Sequence, residues 1–255
     1  MSRLLDGKTV IVTGAGGGIG HEACRVLAKA GARLVITDIS VDSGRATLQA
    51  VKDEGGDAIF HAADLSSEQE ISALVDATLK QYGRLDGAFN NAGVEQKNKP
   101  LDELTIEEWD RAIRVDLTAV FLCIKYQVKA MLKSGSGAIV NTASSLGQVA
   151  IPGASEYVAA KHGVVGLTRA AGADYGRRGI RVNAVLPGVI RTPMIARLSN
   201  EPAFAPVLNR VKERHSMGRF GEPKEVGEAV AWLLSDSASF MNGAAVAVDG
   251  GYLSI

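Results

Sequence analysis

The chain has 255 residues, enough to bury a full hydrophobic core as one large domain or two small ones. Its 28 basic and 28 acidic side chains cancel, so no basic field is expected to recruit nucleic acid or an anionic membrane, and no apolar run approaches the roughly 18 residues of a membrane span. Two cysteines, Cys24 and Cys123, suggest neither a disulfide framework nor a metal site, and the charged start MSRLLDGKTV is no signal peptide, so the expected setting is the cytoplasm.

In chain order, Val10-Ile11-Val12 is the first short apolar run, followed by TGAGGGIG (13–20) and a helical stripe of Ile19, Ala23, Val26, Leu27 and Ala30. Leu34-Val35-Ile36 and Ala58-Ile59-Phe60 are the second and third runs. Ile71, Leu74, Val75, Thr78, Leu79 and Tyr82 then repeat at helical spacing, one stripe against a sheet. Further runs fall at Ala88-Phe89, Ala138-Ile139-Val140, 182–185 and 245–248, with helical patterns over 157–173 and from Glu225 to Leu234, the latter entered through Pro223. Strands this short and uniformly apolar suit a sheet covered on both sides. The expected fold class is α/β: a single-domain, doubly wound Rossmann-like fold with a seven-stranded parallel sheet and helices on both faces. The proline-interrupted stretch 193–219 is the least patterned, and is expected to be a flap over a site.

The glycine turn follows G-x-x-x-G-x-G on Gly14, Gly18 and Gly20, not the more familiar G-x-G-x-x-G. At a strand-to-helix junction such a turn either closes empty or lets backbone approach a phosphate, which meets the free N–H groups and positive dipole end of the helix. Asp38 closes the run LVITD, 18 residues beyond Gly20. A carboxylate there either caps the next helix or stands in a solvated loop, or it accepts the adenosine ribose hydroxyls and repels a 2′-phosphate, the reading that favours NAD over NADP.

Tyr157 and Lys161, four apart in SEYVAAKHG, share one helix face. The pair is either a packed Tyr and an exposed Lys of an amphipathic helix or, because a nearby ammonium and an oxidised nicotinamide both favour the phenolate form of a tyrosine, a device for moving a proton to or from a substrate hydroxyl. Ser144 leaves the fifth strand, where open α/β sheets bind ligands, as either a hydrogen-bond donor to a carbonyl oxygen or the start of a turn. His21, His61, His162 and His215 have no metal-ligand spacing, and no metal is expected; His215 adjoins the expected flap and is a candidate substrate contact.

TGAGGGIG, NNAG (90–93), Ser144, YVAAK (157–161), PGVIRTP (187–193) and DGG (249–251) stand in an order and spacing that resembles the short-chain dehydrogenase/reductase family, from about Leu5 to Tyr252. The resemblance implies that Tyr157 is the general acid/base, that Lys161 eases its ionisation and holds the nicotinamide ribose, and that Ser144 orients the substrate oxygen. It further implies that Gly14, Gly18, Ile19 and Gly20 hold the pyrophosphate side, that Asp64 and Leu65 meet the adenine, and that Asn91, Ala92 and Gly93 run behind the adenine-side ribose. Pro187, Gly188, Ile190 and Thr192 are expected at the nicotinamide carboxamide.

One position departs. The family pattern has Asn where VDLTAVF places Asp116, and that Asn supports a water linking the lysine to solvent. A backbone carbonyl leaves Asp able to substitute; a side-chain role instead adds a negative charge beside Lys161. Activity is expected to survive, with Asp116 in the candidate catalytic set. FLCIKYQ (121–127), NTAS (141–144) and RTPM (191–194) look similar to the family's bacterial cyclic-alcohol and dihydrodiol dehydrogenases. Met194, Ile195, Leu198, Phe204, Val207 and Leu208 suit an apolar small-molecule substrate. The expected activity is NAD-linked interconversion of a secondary alcohol, apolar, cyclic or aromatic-linked, and its ketone. The alternatives are an NADP-linked ketoreductase and a non-catalytic NAD-binding protein. The resemblance also implies a homotetramer, built partly on helices around Trp109–Lys133 and Tyr157–Arg178.

Overall fold

Strand β1 (Thr9–Thr13) lies inside the sheet, with every residue buried. It pairs in parallel with β2 (Arg33–Thr37) on one side and β4 (Gly87–Asn90) on the other. With β3 (Ala58–Phe60), β5 (Gly137–Thr142), β6 (Ile180–Pro187) and β7 (Ala245–Val248), the sheet runs β3-β2-β1-β4-β5-β6-β7, parallel at every pairing. The computed structural model describes residues 3–192, 195 and 210–255. Most of the expected flap, including Met194, Leu198, Phe204, Val207 and Leu208, lies outside the described residues.

The uniformly apolar strands divide their side chains between two cores, because successive residues of a strand point to opposite faces. Val10 and Val12, with Leu34, Ile36 and Val140, pack on one face with α1 (Gly18–Lys29) and a helix over Pro223–Leu234, here α7. Ile11, Val35 and Ile139 point the other way, toward α3 (Glu68–Tyr82), α5 (Ala119–Ser134) and α6 (Ser155–Tyr175). Each such side chain taken fully from water contributes about 1.5–3 kcal/mol before entropy is counted. Two-sided burial is why these strands lack the polar alternation of a half-exposed sheet.

The strand runs read from sequence recur with longer ends: 182–185 extends to Ile180–Pro187, and the weak 88–89 to Gly87–Asn90. Hydrogen-bonding residues at those ends, such as Asn90 and Thr142, carry no apolar signal. The helix expected around Trp109–Lys133 is not uniform. Helix α4 (Ile106–Ile113) passes through a π-helical turn, Arg114–Thr118, into α5. The other expected long helix ends at Tyr175, and a 3₁₀ turn, Gly176–Arg178, completes it. Helix α2 (Val41–Asp53) is capped by Ser40, which leaves Asp38 free of capping duty.

Strand order reverses at β1. Its neighbours are β2 and β4, and the following helices leave on opposite faces, which opens a crevice beyond the carboxyl ends of β1 and β4. Open parallel sheets bind ligands at such a switch point.

Candidate active site

The glycine turn is tied to the end of β4. Thr13 Oγ1 accepts the N–H groups of Asn91 and Ala92 at 2.9 and 3.1 Å, and Asn91 Nδ2 donates to Gly14 O at 3.1 Å. Gly14 has φ +59°, and a Cβ there would lie 2.6 Å from Ala92 Cα; a Cβ on Gly20 would lie 2.1 Å from Gly14 O. Both positions exclude any side chain. At Gly17 the opposite holds: nothing lies within 4 Å of an added Cβ, and this N-cap of α1 offers no side-chain capping bond. A turn packed tight against the protein and open at an uncapped helix N-terminus fits a pyrophosphate. Ile19 is half-buried against the core, and Thr192 Cγ2 would lie 3.2 Å from a Cβ on Gly18, which brings Thr192 over the turn.

Beside the turn opens a cavity of about 530 Å³ lined by Asp38, Asp64, Leu65, Ala92 and Gly93 together with Arg111 and Arg114. Asp38 is held from two sides: Oδ2 accepts Gly16 N–H at 2.7 Å and Oδ1 accepts Ser40 N–H at 2.9 Å. Asp64 is similarly fixed, its Oδ1 taking Ser66 N–H at 2.9 Å. Asn91 does not line this cavity; it braces the turn from behind. The expected adenosine half of the site is therefore assembled in one place from the ends of β1, β2, β3 and β4.

Tyr157 and Lys161 both lie in the first two turns of α6, and Lys161 Nζ is 5.3 Å from the Tyr157 ring centroid. Lys161 is 3% exposed and donates to Thr142 O at 3.2 Å. Its second partner is Asp116, fully buried in the π-helical turn, with Oδ1 3.3 Å from Nζ. The same oxygen accepts Val94 N–H at 3.0 Å, and the other, Oδ2, has no partner among the described residues. Burial pushes the Asp116 carboxyl above the ordinary aspartate value, and the Lys161 ammonium opposes that rise. The side chain of Asp116, and not only its backbone, thus reaches Lys161. Single π-helical turns inside α-helices recur at functional sites because they re-aim one side chain.

Ser144 opens a short 3₁₀ turn, its Oγ accepting Leu146 N–H at 3.1 Å. It nonetheless lines a second cavity of about 310 Å³ with Tyr157, Pro187 and Gly188. Pro187 O accepts Ser145 Oγ at 3.1 Å, which links the Ser144 turn to the end of β6. Ile190 buries its side chain in the core, leaving only its backbone to face a ligand. His215 departs from expectation: it is 2% exposed, its Nε2 accepts Val189 N–H at 3.1 Å, and Nδ1 pairs with Val211 O at 2.9 Å. Those partners make it a brace between the β6 loop and the helical turn over 210–213, with Nδ1 carrying the proton. Gln96, Arg214 and Tyr252 also line this cavity and were not singled out from sequence. They sit in irregular loops, where no periodicity marks a residue. Among the described residues no cluster suits a metal ion, and no helix is long and apolar enough to cross a membrane.

Comparison with known proteins places the site in context. A family profile described as Enoyl-(Acyl carrier protein) reductase matches residues 14–253. The 2,5-dichloro-2,5-cyclohexadiene-1,4-diol dehydrogenase of Sphingobium indicum is 47% identical, over 98% of this chain and 99% of its own length. The cyclohexanol dehydrogenase of an Acinetobacter species is 42% identical, over 100% of this chain and 98% of its own. Among solved structures, levodione reductase superposes with a TM-score of 0.94 at 39% identity, covering 98% of this chain and 99% of that one.

Proposed function

The chain belongs to the short-chain dehydrogenase/reductase family of oxidoreductases, and from that premise we propose that it interconverts a secondary alcohol and its ketone with NAD, through proton transfer at the Tyr157 hydroxyl. The observation that carries this reading is the joint placement of Ser144 and Tyr157 in one cavity, with Lys161 buried behind the Tyr157 ring. The relatives whose names specify ring alcohols support a cyclic substrate, and so does an apolar wall that includes Leu146, Ile151 and Val189. A nicotinamide cofactor, when bound, supplies the hydride acceptor. Gly14, Gly18 and Gly20 would hold its pyrophosphate, Asp38, Asp64, Leu65, Ala92 and Gly93 its adenosine, and Pro187, Gly188, Ile190 and Thr192 its carboxamide side.

In oxidation, Ser144 Oγ donates to the substrate oxygen and orients it, while the Tyr157 phenolate oxygen takes the hydroxyl proton; in reduction, the Tyr157 hydroxyl returns it. Lys161, with its ammonium Nζ 5.3 Å from the Tyr157 ring centroid, holds the ribose. Asp116 positions that ammonium from the other side. Asp38, clamped by two backbone N–H groups, supports NAD by repelling a 2′-phosphate. Arg111 and Arg114 line the same cavity and supply the physical basis of the second reading, an NADP-linked ketoreductase. Ile195 and Val211, both within the 193–219 stretch, line the reaction cavity, which supports the flap. Exposed Ile106 and Phe121 on α4 and α5, with Leu101 in the 3₁₀ turn before α4, support assembly into a homotetramer, and the buried free thiols suit the cytoplasm.

Initial rates with NAD and NADP on a panel of cyclic secondary alcohols test this reading. NAD turnover is expected, with Tyr157→Phe lowering kcat about 100- to 10,000-fold. A strong NADP preference would replace the cofactor assignment, and full activity in Tyr157→Phe would remove the acid/base role.

A further inference from the structure

The reaction cavity contains an unexpected charge. Among the described residues that line it, Arg214 is the one charged side chain, set against the apolar Leu146, Ile151, Val189 and Val211. Its guanidinium lies over an aromatic ring. The guanidinium carbon lies 4.7 Å from the Tyr252 ring centroid. Tyr252 is itself 9% exposed, with its ring 5.2 Å from that of His215. His215 is pinned by Val189 N–H and Val211 O, so the chain of contacts runs back to the end of β6.

A cation–π contact with the ring engages the charge of a guanidinium and uses none of its N–H donors. Among the described residues no carboxylate pairs with Arg214, and no hydrogen bond engages its donors. Its exposure keeps the charge hydrated in the free protein. A ligand that enters the cavity displaces that water, and a planar carboxylate matches the fork best, with two parallel N–H···O bonds. No acidic side chain lines the cavity among the described residues, so nothing there repels such a ligand.

We infer that Arg214 is a specificity-determining residue that takes a carboxylate on the substrate. The substrate is then a hydroxy acid with an apolar ring between its two ends. Its secondary alcohol meets Ser144 and Tyr157, and its carboxylate meets Arg214. This assignment rests on the proposed alcohol oxidation for the reacting end only; the carboxylate site itself depends on Arg214 and Tyr252.

Two measurements on the intact protein test it. The first compares kcat/KM for 4-hydroxycyclohexanecarboxylate and its methyl ester, with NAD, in the wild type, Arg214→Met and Arg214→Lys. A charge-assisted pair predicts that the acid is preferred about 10- to 100-fold. The acid-to-ester ratio should collapse in Arg214→Met, mainly through the KM of the acid, and recover only in part in Arg214→Lys, which restores charge without the fork. The second measures calorimetric binding of cyclohexanecarboxylate, which has no hydroxyl to oxidise, to the protein saturated with NADH. Binding in the wild type and its loss in Arg214→Met support the site whether or not any alcohol is turned over. In that case, absence of turnover counts against the proposed alcohol chemistry alone. Oxidation of cyclohexanol with equal rates for acid and ester, and no Arg214-dependent binding, would overturn the carboxylate site and leave the dehydrogenase reading standing.

Discussion

Asp116 joins a buried, titrating carboxyl to the proposed proton relay. It is fully buried, shares Oδ1 between Lys161 and Val94 N–H, and its carboxyl lies above the ordinary value of 3.8 because burial disfavours the charge. A carboxyl raised in the folded state contributes stability that is complete below its unfolded value and is lost as pH rises through its folded value. Asp116→Asn keeps the acceptor for Val94 and removes the titration. The melting temperature of the wild type relative to Asp116→Asn should therefore decline as pH rises from below 3.8 towards neutrality; a difference independent of pH would count against this account. The same variant removes a carboxylate from beside Lys161, so a proton relay tuned by this side chain should show changed limbs in the oxidation pH–rate profile. Identical limbs would mean that Asp116 leaves the relay untuned. The sequence marked Asp116 only as a departure from a pattern. Whether its side chain reaches Lys161 depended on the π-helical turn, which no local composition announces.

At the scale of elements, the entry to α7 is a second titrating device. Glu225 accepts Glu222 N–H at 2.7 Å and pairs with Arg219 at 2.6 Å, and these partners hold its carboxyl down at about 2. Removing such a cap in Glu225→Ala should cost about 1 kcal/mol near neutral pH. A depressed carboxyl contributes stability present above its unfolded value of 4.5 and lost as pH falls through about 2, so the gap between wild type and variant should close across that window in urea titrations. The glycine turn joins strand, turn and helix in one unit. In Gly20→Ala the new methyl meets Gly14 O, and the turn must open to admit it. That should destabilise the fold by about 1–3 kcal/mol and weaken nicotinamide-cofactor binding measured by calorimetry. Pro223 and Glu225 announced α7 in the sequence, and the glycine spacing announced the turn, because capping and left-handed backbone are local requirements. The joining of Thr13 and Asn91 is not local, since those residues are far apart in the chain and adjacent only through β1–β4 pairing.

On the scale of the whole molecule, two cores cover both faces of the sheet; Cys24 lies in one of them, and Cys123 in a smaller cluster with Ile71 and Leu122. Cys24 and Cys123 are buried, and burial pushes each above its ordinary range, Cys123 up to about 12. The thiolate is the reactive form. Neither should label with a thiol reagent in the native protein, and both should label together on unfolding; prompt labelling of either one would show an opening that these cores do not describe. A parallel doubly wound sheet was determined by the sequence itself, because short strands buried on both faces must be apolar throughout and their crossover helices must carry one apolar stripe. The Tyr157–Lys161 pair was legible for a similar reason: four residues apart on a helix means one face. The tertiary structure alone decided that Asp116 touches Lys161, that His215 is a brace, and that Arg214 stands in the reaction cavity on Tyr252. Each of those contacts joins segments distant in the chain, and only the packing of the finished sheet and helices determines which of them meet.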